Sequence, residues 1–237
     1  MKKIAFFVEG QTEQLFVNRL LCEIAGQRNI SVSLKQLRGG KTIPAQEILI
    51  NQVQFYREPL NPLCEALIYD CGSDDKVKSD ILENIESLSV IGFSEIVGIR
   101  DLFPLTDLER LKRGLKFIPP QSLPLSIPFE IIVAVNEIEC WFLAEYTHFA
   151  GIHKKITTSR ILNSFGFNPC EDDMRVRPNP ANDLNMIYQL EGRGYGKKKN
   201  QVERTVNYLD YSELYLNIRH KIPELEELIQ KIDSFLV

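Results

Sequence analysis

The chain is poor in the features that usually declare a function. Its three histidines, His148, His153 and His220, stand apart. His148 and His153 are spaced i,i+5, off a common helical face, and none sits beside a cysteine at metal-ligand spacing. The five cysteines (Cys22, Cys64, Cys71, Cys140 and Cys170) are odd in number, widely separated and free of any Cys-x-x-Cys pair. That argues against a zinc knuckle or a disulfide framework and fits reduced thiols in a cytosol. No apolar run approaches the roughly 18 residues of a membrane span. The run after Lys2 and Lys3 is cut by Glu9 after five residues, too short for a signal peptide. A cytoplasmic protein away from membranes is therefore expected. Positive charge is not in excess either: the net charge is −4, so no global basic field favours nucleic acid, although a local patch still can. Internal repeats, low-complexity tracts, nucleophile elbows, Walker loops and His-Glu-x-x-His motifs are all missing.

What is present is an alternation of buried strands and amphipathic helices. Ile4 to Val8 is an unbroken apolar run, as in a strand covered on both faces. Gly10 turns the chain, Thr12 is a candidate N-cap, and Leu15, Phe16, Arg19 and Leu20 follow at helical spacing. Residues 30–37 alternate apolar and polar and read as a half-exposed strand. Spacing over 43–56 reads as a helix ended by Pro59 and Pro62. Short buried strands are expected at 66–69, 95–99 and 129–135. Helices are expected at 76–88 and 107–115, the latter capped by Thr106, and from about Asn136 to Glu145. The order is that of an α/β fold: a mostly parallel sheet with helices on both faces. From His148 the texture changes to short helical stretches, so residues 1–150 read as the α/β core and 151–237 as a helical appendage packed on it.

One pattern recurs. Glu9, Asp70, Asp101 and Glu137 each lie just past an apolar strand. Open α/β sheets bind ligands at these carboxyl ends. Carboxylates converging there suit a hard divalent cation such as Mg2+ or Mn2+, which orients a water and stabilises an attacked phosphodiester. The competing reading makes each acid a helix N-cap or first-turn residue, favoured by the helix dipole.

The segment Val8-Glu9-Gly10-Gln11-Thr12-Glu13, with Phe16 beyond it, resembles the opening motif of Toprim-fold proteins, in particular the RloB-like and OLD-type nuclease groups. Asn136-Glu137-Ile138-Glu139-Cys140-Trp141-Phe142-Leu143 resembles a second signature of these families, a Glu-x-Glu-x-Trp run at a helix start. The resemblance covers about residues 1–150. It implies a metal-dependent nuclease acting on DNA or RNA, with Glu9, Asp70 and Asp101 as catalytic acids and Glu137 and Glu139 completing the metal shell. It also implies a bacterial or phage-defence setting and a separately encoded AAA/ABC-type ATPase partner, and leaves an oligomer open. The chain departs from the pattern at Gly72, where the second aspartate of an Asp-x-Asp is expected. Either Asp74 or Asp75 compensates from the turn or Asp101 is the equivalent, so Asp70 and Asp101 both stand as the partner of Glu9. A non-catalytic Toprim-like subunit and a small phosphate-ester hydrolase remain as alternatives.

Two basic segments are candidates for phosphate contact. One is Arg38 with Lys41, beside Gly39 and Gly40; the other is Arg193, Lys197, Lys198 and Lys199, interleaved with Gly192, Gly194 and Gly196. Arg100 adds a cation at a strand end. Tyr195 is placed to stack on a base.

Overall fold

The computed structural model describes residues 1–26, 28–38, 46–51 and 61–237. Among the described residues, six strands form one sheet in the order β3-β2-β4-β1-β5-β6: β1 (Lys2–Val8), β2 (Ile30–Arg38), β3 (Gln46–Asn51), β4 (Cys64–Asp70), β5 (Glu95–Asp101) and β6 (Phe129–Ala134). Five strands run parallel and β3 runs antiparallel to β2. The chain is thus an α/β fold built on a mostly parallel sheet.

The apolar runs explain the order. β1 is central, with Ile4 to Val8 wholly buried, and hydrogen-bonds β4 on one side and β5 on the other. Alternation along the strands sends Ala5, Phe7, Leu67 and Tyr69 to one face. There they pack with Val77, Ile81, Ile85 and Leu88 of α2 (Asp74–Val90), and the Phe7 and Tyr69 rings stack at 4.5 Å. The opposite face carries Ile4, Phe6 and Ile68 and is covered by α1 (Gln11–Ala25), whose Gln14 amide donates to the Lys35 and Ile68 carbonyls at 2.8 Å each. Helices therefore cover both faces. Gly98 on β5 lets α2 come close: a Cβ there would lie 2.8 Å from Ile131 Cγ1 and 3.1 Å from Ile81 and Val77. Connections leave β1 toward β2 and leave β5 toward β6, so the switch point of the sheet falls between β1 and β5, the place where such folds take ligands.

Three sequence expectations are corrected. Within 43–56, residues 46–51 form the edge strand β3 instead of a helix; Ile48-Leu49-Ile50 is a short, partly β-branched run that pairs with β2. The rest of that helix lies outside the described residues. Helix α1 begins at Gln11 with Gly10 as N-cap, so Thr12 falls inside the first turn, and the Glu13 carboxylate accepts the Gly10 N–H at 3.0 Å. Helix α3 (Leu108–Lys116) is capped by Asp107, which accepts the Arg110 N–H at 2.8 Å, and not by Thr106.

The chain divides into two compact units. The first comprises 1–100, 107–133 and 231–237; the second comprises 101–106 and 134–230. The second thus takes in the residues just after β6 as well as the helices beyond 150. Its helices are α4 (Glu139–Ala144), α5 (His148–Ile152), α6 (Thr158–Phe165), α7 (Pro180–Gln189), α8 (Lys199–Tyr208) and α9 (Tyr211–Leu216), and α10 (Pro223–Leu236) is the last element of the chain. At its centre the fully buried Glu145 carboxylate accepts the backbone N–H groups of Thr147, His148 and Asp210 at 2.9, 3.3 and 3.1 Å. His148 Nε2 lies 2.9 Å from the Tyr188 hydroxyl, which in turn lies 3.1 Å from Thr205 Oγ1. This buried network ties α5, α7, α8 and α9 together and gives His148 a structural place. Among the described residues no helix is long and apolar enough to cross a membrane.

Candidate metal centre

In the second unit, Asp101, Glu137 and Glu139 each offer one carboxylate oxygen, all within 4.8 Å of one another. Local structure brings them there. Asp101 is the last residue of β5 and is 4% exposed. Past it, Leu102 N–H donates to the Ala134 carbonyl at 2.8 Å and Phe103 N–H to the Asn136 carbonyl at 3.0 Å. Asn136 then adopts φ 64°. Asparagine tolerates this left-handed conformation better than most residues because its short polar side chain bonds locally. Here the amide donates to the carbonyls of Arg175 and Arg177 at 2.5 and 3.0 Å. The turn directs Glu137, and one residue later the Ile138 N–H donates to Asp101 Oδ1 at 3.0 Å. Glu139 opens α4.

Glu139 is fully buried. Its Oε1 accepts the Tyr195 hydroxyl at 2.8 Å. Its Oε2 receives no hydrogen bond but faces the Lys197 ammonium at 3.4 Å, and that ammonium donates to Glu137 Oε1 at 3.1 Å. The longer contact is an ion pair without hydrogen-bond geometry, so Oε2 keeps most of its capacity to bind a cation. Burial pushes the Glu139 carboxyl above its ordinary value; the Lys197 charge opposes this, the Glu137 charge adds to it, and the Tyr195 hydroxyl opposes it. Burial also pushes the neighbouring Cys140 thiol up to about 12.

The donor set fits a hard divalent cation. All three groups are carboxylates, and oxygens sharing an ion at about 2.0–2.6 Å must lie within about 5 Å of one another, as these do. A buried carboxylate oxygen without a hydrogen bond, already facing a positive charge, is an environment suited to cations.

In the first unit, Glu9 follows β1 half-buried, and it and Glu13 bring carboxylate oxygens within 4.8 Å of each other. Glu13 is not among the expected site acids; its place three residues after Gly10 is the capping-box position. Asp70 lies outside both acidic groupings. Its Oδ2 accepts the Gln36 amide at 3.0 Å and its Oδ1 accepts the Gly72 N–H at 2.9 Å. Arg100 is buried and pairs with Asp74 at 3.5 Å, away from solvent. Arg38 ends β2, and Lys41 lies outside the described residues.

In the second unit, Arg193, Lys198 and Lys199 are exposed, with Lys199 3.8 Å from Glu203. Lys197 turns to the acids. Tyr195 does not present a free stacking face: it is 3% exposed, its ring meets Tyr188 edge-on, and its hydroxyl serves Glu139. An aromatic ring in a glycine-rich segment was drawn inward because its hydroxyl has a buried carboxylate to satisfy. Searches of the protein-family models, the curated proteins and the solved structures give no match to this chain.

Proposed function

We propose that this chain is a Toprim-like, Mg2+- or Mn2+-dependent phosphodiester hydrolase acting on DNA or RNA. The observation that carries the reading is the convergence of Asp101, Glu137 and Glu139. A bound divalent cation supplies a Lewis acid and lowers the pKa of a coordinated water. The chain's own groups do the rest. Ile138 N–H holds Asp101 through Oδ1. Tyr195 fixes Glu139 through Oε1 and leaves Oε2 facing the centre. Holding ligand carboxylates by their outer oxygens in this way is what keeps a metal site rigid. Arg193, Lys198 and Lys199 are exposed cations of the same unit and suit the phosphates of a polyanion. The resemblance of residues 1–150 to Toprim nucleases adds Glu9 as a metal-site acid, a defence setting and an ATPase partner; co-purification from the native host tests the last.

The test is cleavage of single- and double-stranded DNA and of RNA with Mg2+ or Mn2+. Asp101→Asn or Glu139→Gln lowers the rate by ~100-fold or more. Glu9→Ala tests the first-strand acid separately. Undiminished cleavage by Asp101→Asn overturns the assignment of the centre.

One observation favours a second reading, a non-catalytic subunit. The Lys197 ammonium already bridges Glu137 and Glu139, so part of the charge is balanced without metal. Absence of divalent-ion binding by the wild-type chain selects this reading.

A further inference from the structure

Lys197 was expected to reach for phosphate, yet it bridges two buried or half-buried carboxylates. We infer that Lys197 is a built-in counter-cation that sets the charge of this centre and, with it, the valence of the ion it accepts. The inference rests on the metal-site reading above.

Lys197 is held differently from its neighbours. Lys199 makes a surface i,i+4 pair at 3.8 Å with its side chain 56% exposed, against 40% for Lys197. Lys197 adopts φ 57°, in the left-handed region unfavourable to a side chain this long. The segment before it is fastened on every side. Tyr195 N–H donates to Asn185 Oδ1 at 2.9 Å, Gly196 N–H donates to Gln201 Oε1 at 2.7 Å, and the Arg204 guanidinium donates to the Gly194 carbonyl. The Tyr195 hydroxyl, two residues away, is on Glu139 itself. This fixed backbone delivers the ammonium to Glu137 at 3.1 Å and Glu139 at 3.4 Å.

Charge decides the consequence. The Lys197 ammonium adds one positive charge beside these carboxylates, and its loss leaves them one unit more negative, which favours an ion of higher charge. In a site whose central acid is fully buried, an unbalanced charge is costly, because the low local dielectric strengthens every charge interaction. Lys197 therefore competes for Glu137 and Glu139 and disfavours a third positive charge.

The experiment compares Tb3+ binding, followed by sensitised luminescence, with Mn2+ binding, followed by calorimetry. It uses the full-length wild type and the variants Lys197→Gln, Lys197→Arg and Asp101→Asn, each checked for folding by circular dichroism. Lys197→Gln is expected to tighten Tb3+ by about tenfold or more relative to Mn2+. Lys197→Arg keeps the charge and is expected to hold the wild-type ratio. Ion binding by Lys197→Gln alone, with none by the wild type, also supports the inference. An unchanged ratio in Lys197→Gln, with Asp101→Asn abolishing binding, overturns the role of Lys197 and leaves the metal site standing. No binding of either ion to any variant overturns both.

Discussion

Asp70 and Asp101 begin as equals. Each ends a parallel strand of one sheet after a buried apolar run, and they are 3% and 4% exposed. They differ in what their oxygens meet. Asp70 is closed off by the Gln36 amide from β2 and by the Gly72 N–H of its own turn. Asp101 accepts the Ile138 N–H and stands with two further carboxylates. A buried carboxylate answered by neutral donors stabilises a turn; one placed among other carboxylates creates a charge that an added cation can relieve. Position at a strand end is therefore not enough to identify a site. The neighbouring charges decide.

The comparison can be broken most forcefully by exchanging charge for amide at the two positions. Asp101→Asn is expected to lower metal-dependent cleavage by ~100-fold or more, whereas Asp70→Asn stays within a few-fold of wild type. Equal losses in both would erase the distinction.

Stability should show the reverse. Asp70→Ala strips the Gln36 amide and the Gly72 N–H of their acceptor in a buried setting and is expected to cost about 1–3 kcal/mol, lowering Tm by several degrees in a thermal melt. Glu139→Gln is expected to raise Tm at pH 7 without metal by about 2–4 °C, corresponding to ~1 kcal/mol. The sign follows from burial, which raises the folded-state pKa of Glu139. The folded state then holds its proton more tightly than the unfolded one. This contribution is fully present below the ordinary value of 4.5 and is lost as the pH rises through the folded-state value. The advantage of the glutamine variant therefore shrinks toward acid pH, and an advantage that grows toward acid would contradict the assignment.

The smallest effect is expected from Tyr195→Phe. It removes the donor to Glu139 Oε1 while keeping the ring against Tyr188, so metal affinity falls about tenfold and the fold persists. Unaltered affinity on titration would mean that Glu139 does not need that anchor.

Most of the sheet was legible because its strands are apolar runs with glycine and proline punctuation, and residues 4–8, 66–69 and 95–99 lie inside β1, β4 and β5. The edge strand β3 was not, since Ile48-Leu49-Ile50 satisfies helical and extended patterns alike until a partner strand is supplied. At the site, Glu137 could be picked out from its place after β6, and Glu139 from the resemblance of the Glu-x-Glu-x-Trp run to a family signature. The choice between Asp70 and Asp101 could not. It depends on Gln36 standing opposite Asp70 in the β2–β4 register, 34 residues away in sequence. Lys197 was hidden for the same reason: its partners Glu137 and Glu139 lie some 60 residues upstream, and local sequence shows only a run of lysines.

The central claim is that Asp101, and not Asp70, belongs to a cation site. Mn2+ titration of the wild type, Asp101→Asn and Asp70→Asn by calorimetry tests it most directly. The account predicts one bound ion in the wild type and in Asp70→Asn and loss of binding in Asp101→Asn. Binding retained by Asp101→Asn and lost by Asp70→Asn would contradict it.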